Sequence, residues 1–226
     1  MTACVLAARS LSSGYQGVAA IREIDIELRG GEMVLLAGPN GAGKSTTVMT
    51  LAGALKPLGG SVEVDGQKTG SPMFQRTRGS LGVITEKRGI FNQLSVRDNL
   101  RLGRGSTERA LDLFPELAKR LKVPAGLLSG GEQQMLSLAR VLAADPSVIL
   151  ADELSLGLAP IIVKRLLAAL RQAADGGAAV LLVEQHVQVA LDYVNRGYFM
   201  SRGRVGLEGD VDLIKSSPDR IQELYL

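Results

Sequence analysis

Apolar and polar residues alternate over residues 23–28, where Ile24, Ile26 and Leu28 fall on one side of an extended segment. Short β-rich runs also occur at 4–7, 33–37 and 61–64, and Gly-Gly and Asp-Gly pairs that favour turns punctuate this stretch. These four runs predict antiparallel, half-buried strands. Further along, 148–150 and 178–183 are apolar without interruption, and each adjoins a segment of helical spacing, the pattern of parallel strands covered on both faces. Spacing and end signals predict helices over 44–55, 95–102, 106–121, 131–143, 161–174, 186–193 and 218–226. The expected fold class is α/β, with a mixed or parallel sheet in a doubly wound core, an antiparallel β-rich N-terminal part and an inserted helical part.

A chain of 226 residues suits one domain with a large core, and it carries no repeat, low-complexity tract or long linker. We expect a single domain over 1–226, with the β-rich core at 1–85 and 145–226 and the helical insert at about 86–144. Hydrophobic residues make up 46% and charged residues 22%, which excludes a disordered or collagen-like chain. The net charge is +3 without a Lys/Arg block, so charge does not call for nucleic acid. The lone Cys4, in the apolar run Val5-Leu6-Ala7-Ala8, has no partner for an internal disulfide and reads as a buried thiol. The first residues lack the layout of a signal peptide, and no apolar run reaches the roughly 18 residues of a membrane span. A cytoplasmic location is expected, with docking on a membrane protein left open.

Glycine changes the picture: it occupies 27 of the 226 positions, well above the roughly 7% of ordinary proteins. Gly38-Pro39-Asn40-Gly41-Ala42-Gly43-Lys44-Ser45, followed by Thr46, matches the P-loop pattern between a strand-like run and a helix-like run. Glycines let successive N–H groups turn toward an anion, the helix start adds partial positive charge, Lys44 reaches β- and γ-phosphates, and Ser45 ligates Mg²⁺. Such a loop binds a nucleoside triphosphate; alone, it leaves ATPase, GTPase and small-molecule kinase open.

Two further segments narrow the choice. Ser129-Gly130-Gly131-Glu132-Gln133 precedes an amphipathic run, with Ser129 placed as a helix N-cap and Glu132 as its capping-box partner. An exposed Ser-Gly-Gly at a helix start is also a second anion site. Asp152 and Glu153 end the apolar run Val148-Ile149-Leu150-Ala151. In this order and spacing, across nearly the whole chain, the sequence resembles the nucleotide-binding subunits of ABC transporters. The resemblance implies a P-loop (RecA-like) nucleotide hydrolase core and a helical signature subdomain. The signature sequence of one subunit would close over the ATP held by the P-loop of its partner. It further implies that Asp152 orients Mg²⁺ through water, that Glu153 polarises the attacking water, and that Tyr15 stacks on adenine.

The segments Leu154-Ser155-Leu156-Gly157-Leu158-Ala159-Pro160, Val183-Glu184-Gln185-His186 and Thr85-Glu86-Lys87-Arg88-Gly89-Ile90-Phe91 ahead of Leu94-Ser95-Val96-Arg97-Asp98-Asn99-Leu100 are similar to the LivF-like branch of branched-chain amino acid uptake systems. That branch implies a second ATPase subunit, with a homodimer as the other arrangement, two membrane permeases, an external solute-binding protein and a place on the cytoplasmic face of the membrane. The stripe Leu111, Leu113, Phe114, Leu117 and Leu121 reads as core, and the resemblance makes this region and the Glu86 loop the groove for a permease helix. Three residues depart from the general family pattern: Glu86 at the Q-loop position contacting nucleotide and Mg²⁺, Gln185 at the switch-histidine position with His186 one place late, and Leu154 in place of a proline. Gln185 cannot titrate near neutral pH, so this subunit's own site is expected to hydrolyse ATP weakly while its signature completes a stronger partner site. The function expected is ATP-driven dimer closure coupled to uptake of branched-chain or related amino acids. A non-transport ABC ATPase and a nucleotide-gated assembly subunit are the alternatives.

Overall fold

The computed structural model describes residues 4–85, 87–185, 187–217 and 221. Glu86, His186 and all but Ile221 of the helix expected at 218–226 lie outside the described residues. In chain order the elements are β1 (Cys4–Tyr15), β2 (Val18–Arg29), β3 (Met33–Ala37), α1 (Lys44–Ala52), β4 (Gly59–Val64), β5 (Gln67–Lys68), α2 (Met73–Arg78) and β6 (Leu81–Ile84). There follow α3 (Val96–Arg101), α4 (Thr107–Leu113), α5 (Gly130–Leu142), β7 (Val148–Asp152), α6 (Pro160–Asp175), β8 (Ala179–Glu184), α7 (Val187–Ala190), β9 (Arg196–Ser201), β10 (Arg204–Asp210) and α8 (Val211–Ser216).

One sheet is antiparallel in the order β2-β1-β4-β5; the other runs β10-β9-β3-β8-β7-β6, with β10 antiparallel on an otherwise parallel set. Because side chains alternate across a strand, the parallel sheet supplies two cores. Met33, Leu35, Ile149, Val180 and Leu182 face the helices, while Val34, Leu36, Leu150, Leu181 and Val183 pack with α1 and the antiparallel sheet. Burial on both sides explains the continuous apolar runs. It also corrects one expectation: 33–37 is not a half-buried antiparallel strand but the buried centre of the parallel sheet, paired with β8 and β9.

The two sheets are joined at Arg196. Its Nε and Nη2 donate to Glu32 at 3.1 and 2.8 Å, and Nη1 donates to the Tyr198 hydroxyl at 2.7 Å. The same tyrosine oxygen accepts the Glu27 N–H at 3.1 Å.

Local chemistry sets the helix ends. Gly53, at φ 83°, closes α1 three residues before the expected end. The helix expected over 106–121 breaks in two, because Pro115 excludes the helical region at the residue before it. Phe114 accordingly takes φ −135° and ψ 77°, and the chain resumes as a 3₁₀ helix over Pro115–Arg120. The helix expected at 186–193 is reduced to the short α7. Strands β5, β6, β9 and β10 and helices α2 and α8 are absent from the expectation; β1 and β2 are also longer than it, each with 12 residues.

The break at Pro115 aims Phe114 inward. Its ring is fully buried and the Arg165 guanidinium lies 4.6 Å from its centroid. Replacing Phe114→Ala is expected to cost about 3–5 kcal/mol, measured by urea unfolding, and Phe114→Leu much less.

Candidate functional site

β3 ends on buried Ala37 and the chain turns at Gly38, φ 150°, where an added Cβ would lie 2.2 Å from the Met200 carbonyl oxygen. Gly43 repeats the constraint at φ 103°: a Cβ there would lie 2.5 Å from Ile21 Cγ2. Only glycine fits this path. α1 then begins at Lys44 with no capping side chain, which leaves its first-turn amides as partners for an anion. Lys44 is buried, and its Nζ donates to the carbonyls of Gly38 and Pro39 at 2.9 and 3.0 Å. Burial holds this ammonium below the usual lysine range, against the opposing pull of Glu153 and Asp152.

The loop opens on a cleft of about 310 Å³ formed with Asn40, Gly41, Ser45, Thr46, Ala20 of β2 and, from across the sheet, Glu153. Pro39 and Ala42 complete the turn; the Ala42 N–H donates to the Pro39 carbonyl at 3.2 Å. Tyr15, Asp152 and Gln185 do not line this cleft. Tyr15 stands half exposed at the end of β1, and Gln185 follows the last residue of β8.

Asp152 ends β7 in a buried position; Glu153 follows with φ 51° and its N–H on the Val183 carbonyl at 3.0 Å. A left-handed non-glycine backbone costs roughly 1–2 kcal/mol and persists where surrounding bonds fix it. Two residues on, Ser155 donates its N–H and its hydroxyl to the two carboxylate oxygens of Glu184, at 3.0 and 2.5 Å. Among the described residues no three His, Cys, Asp or Glu side chains gather to hold a metal. Ser45, on the cleft wall, and Asp152, buried one residue before Glu153, carry hydroxyl and carboxylate oxygens of the kind that Mg²⁺ takes as ligands.

The second glycine element heads α5 and carries the capping box. Ser129 Oγ accepts the Glu132 N–H at 3.3 Å, and Glu132 accepts the Ser129 N–H at 2.9 Å. The Ser129 amide and then Arg120, at 2.8 Å, hold the Glu132 carboxyl below the usual range. Gln133 donates to the Ala125 carbonyl at 3.1 Å and accepts from Arg88 at 2.5 Å. None of Ser129, Gly130, Gly131, Glu132 or Gln133 lines the P-loop cleft; within one chain the two glycine-rich elements stand apart.

Sequence reasoning gave no role to Glu184, Ser155, Arg88 or Asn99. Glu184 had a visible signal, a charge closing an apolar strand. Asn99 is fully buried: it accepts the Phe91 N–H at 2.8 Å and donates to the carbonyls of Phe91, Leu94 and Ser95 at 3.0 to 3.2 Å. Arg88 is anchored as well, its carbonyl accepting the Ser137 hydroxyl at 2.6 Å.

A family model described as ABC transporter matches residues 21–155. The high-affinity branched-chain amino acid transport ATP-binding protein BraG of Pseudomonas aeruginosa is 37% identical, over 96% of this chain and 97% of its own. The probable branched-chain amino acid transport ATP-binding protein LivF of Archaeoglobus fulgidus is 33% identical, over 88% and 89% of the two chains. The lipopolysaccharide export system ATP-binding protein LptB of Escherichia coli is 32% identical, over 98% and 96%. A solved ATP-binding subunit of an ABC transporter superposes with a TM-score of 0.83 at 27% identity, over 97% of both chains. A P-loop, a capped signature helix and paired carboxylates at a strand end therefore stand in a chain that belongs to the ABC transporter family, as an ATP-hydrolysing, ATP-binding subunit of a transporter.

Proposed function

We propose that this chain is the ATPase subunit of an importer for branched-chain or related amino acids. It works with a second ATPase subunit and two permeases on the cytoplasmic face of a membrane, and an external binding protein delivers the solute. The observation that carries the reading is the cleft in which the uncapped start of α1 and buried Lys44 face Glu153. Similarity to BraG and LivF supports the solute class; similarity to LptB, an export-system protein, makes transport direction the part to be tested. Among the described residues no helix is long and apolar enough to cross a membrane, consistent with attachment through permeases.

In this reading the first-turn amides and Lys44 hold the β- and γ-phosphates of ATP, and Tyr15 contacts the adenine. Ser45 and Asp152 hold Mg²⁺, with Glu86 as the further contact drawn from the family pattern, and the ion supplies charge neutralisation at the phosphates. Glu153 accepts the hydrogen bond of the attacking water and orients it, so catalysis rests on position and charge. Gln185 donates and accepts hydrogen bonds but cannot titrate; with His186 one position away, this subunit's own site turns over slowly. Its Ser129 to Gln133 turn completes the faster site on the partner, and two bound ATP molecules close the dimer.

Isolation of the tagged chain from detergent-solubilised membranes with ATP present is expected to recover a second ATPase and two permeases; recovery of soluble partners alone contradicts the importer. In the reconstituted complex, Lys44→Ala should weaken nucleotide binding in this subunit by roughly ten- to a hundredfold, as for a lost charged hydrogen bond. Glu153→Gln here should leave nucleotide affinity unchanged and reduce transport only modestly, whereas the equivalent change in the partner abolishes it. Phe91 and Leu94, exposed on the loop that Asn99 holds, form the permease contact. Phe91→Glu should abolish recovery of the permeases with nucleotide affinity intact, checked by pull-down and nucleotide titration.

A further inference from the structure

Glu184 belongs to neither glycine-rich element, yet its buried carboxylate engages the segment from Glu153 to Ile162, one end of which lines the cleft while the other meets the turn of α5. It accepts two hydrogen bonds from one residue, the Ser155 N–H at 3.0 Å and the Ser155 hydroxyl at 2.5 Å. At one end of that segment stands Glu153, in a left-handed conformation with its N–H on Val183, the residue before Glu184. At the other end, Leu158 donates its N–H to the Ser155 carbonyl at 3.1 Å and Ile162 donates to Ala159 at 2.9 Å.

These last residues back the glycine turn of α5. A Cβ added at Gly130 would lie 3.5 Å from Leu158 Cδ2, and one at Gly131 would lie 3.0 Å from Ile162 Cγ2. The contacts therefore run from the end of β8, through Ser155, to Glu153 on one side and to the N-terminus of α5 on the other. A short bond between a carboxylate and a hydroxyl is among the stronger hydrogen bonds of a protein, and the accompanying amide bond further restricts Ser155.

We infer that Glu184 is a positioning residue for ATP turnover, fixing through Ser155 the segment that carries Glu153 and braces the Gly130–Gly131 turn. The inference rests on the proposal that Glu153 and the α5 turn serve nucleotide sites of an assembled dimer. Because one carboxylate holds both, losing it disturbs both sites at once, and its removal costs more turnover than Glu153→Gln in the same subunit.

The test uses the reconstituted complex, with kcat, KM for ATP, nucleotide affinity and thermal unfolding measured for Glu184→Ala, Glu184→Gln, Ser155→Ala and the Ala/Ala double variant. Glu184→Ala is expected to lower kcat by roughly ten- to a hundredfold, the scale of a displaced reacting group, with KM changed by less than about twofold. Ser155→Ala lowers kcat in the same direction and adds little to Glu184→Ala, as for two members of one contact. Glu184→Gln retains most activity, since its oxygen still accepts the Ser155 N–H and the hydroxyl can turn to accept from the amide. An unchanged kcat per folded complex, additive losses, or a loss confined to the melting temperature overturns the inference. Should Glu184→Ala fail to fold, wild-type kcat in Ser155→Ala overturns it equally. Lys44→Ala and Glu153→Gln run in parallel: normal nucleotide binding in the first, or abolished turnover in the second, contradicts the proposed assignment of the sites, not the Glu184–Ser155 contact.

Discussion

Parallel strands can share a sheet only with crossover connections, and that constraint governs this molecule. β3 pairs with β8 so that Ala37 meets Glu184, and β7 pairs with β8 so that Asp152 meets Val183. The three strands therefore finish together, and the loops leaving them begin side by side: the turn at Gly38, the carboxylate Glu153, and Gln185. A slip of one residue in either pairing would exchange the two buried faces of a strand. Both faces are apolar and packed against different partners, so register is held firmly, and the site inherits that rigidity.

The antiparallel sheet does more than cover the core. Ala20 of β2 forms part of the cleft wall, Ile21 sets the space at Gly43, and a Cβ at Gly203 would lie 2.4 Å from the Ala20 carbonyl oxygen. Arg196 ties this sheet to the parallel one by donating to the Glu27 carbonyl of β2 and to the Tyr198 hydroxyl, which in turn accepts the Glu27 N–H. The P-loop turn is thus gripped between two sheets, and its unusual backbone angles are supported from both.

What the sequence disclosed follows the range of the interactions involved. The P-loop turn and the Ser129–Glu132 cap are local, each closed within a few residues, and their signals survive in one dimension. The 33–37 run was misread because five apolar residues in a row do not name their partners; only pairing with β8 and β9 shows it buried on both faces. The break at Phe114 was legible in Pro115 and was overridden by the apolar stripe around it. Ser155 and Glu184 are 29 residues apart and meet only because β7 and β8 are neighbours, a juxtaposition that no spacing rule supplies. The roles given to the site residues come from family pattern joined to this geometry.

The loop from Phe91 to Ser95 has a thermodynamic consequence for whatever surface meets it. Asn99 satisfies four of its backbone groups from inside, and Arg140 donates to the Gly89 carbonyl just before it. Phe91 and Leu94 are therefore presented to solvent on a backbone whose conformational entropy was already lost on folding. Association with a matching apolar surface needs no ordering of this loop, so little of the gain from burying the two side chains is spent on arranging them. Encounter then proceeds at a rate set by diffusion and orientation rather than by waiting for a rare loop conformation.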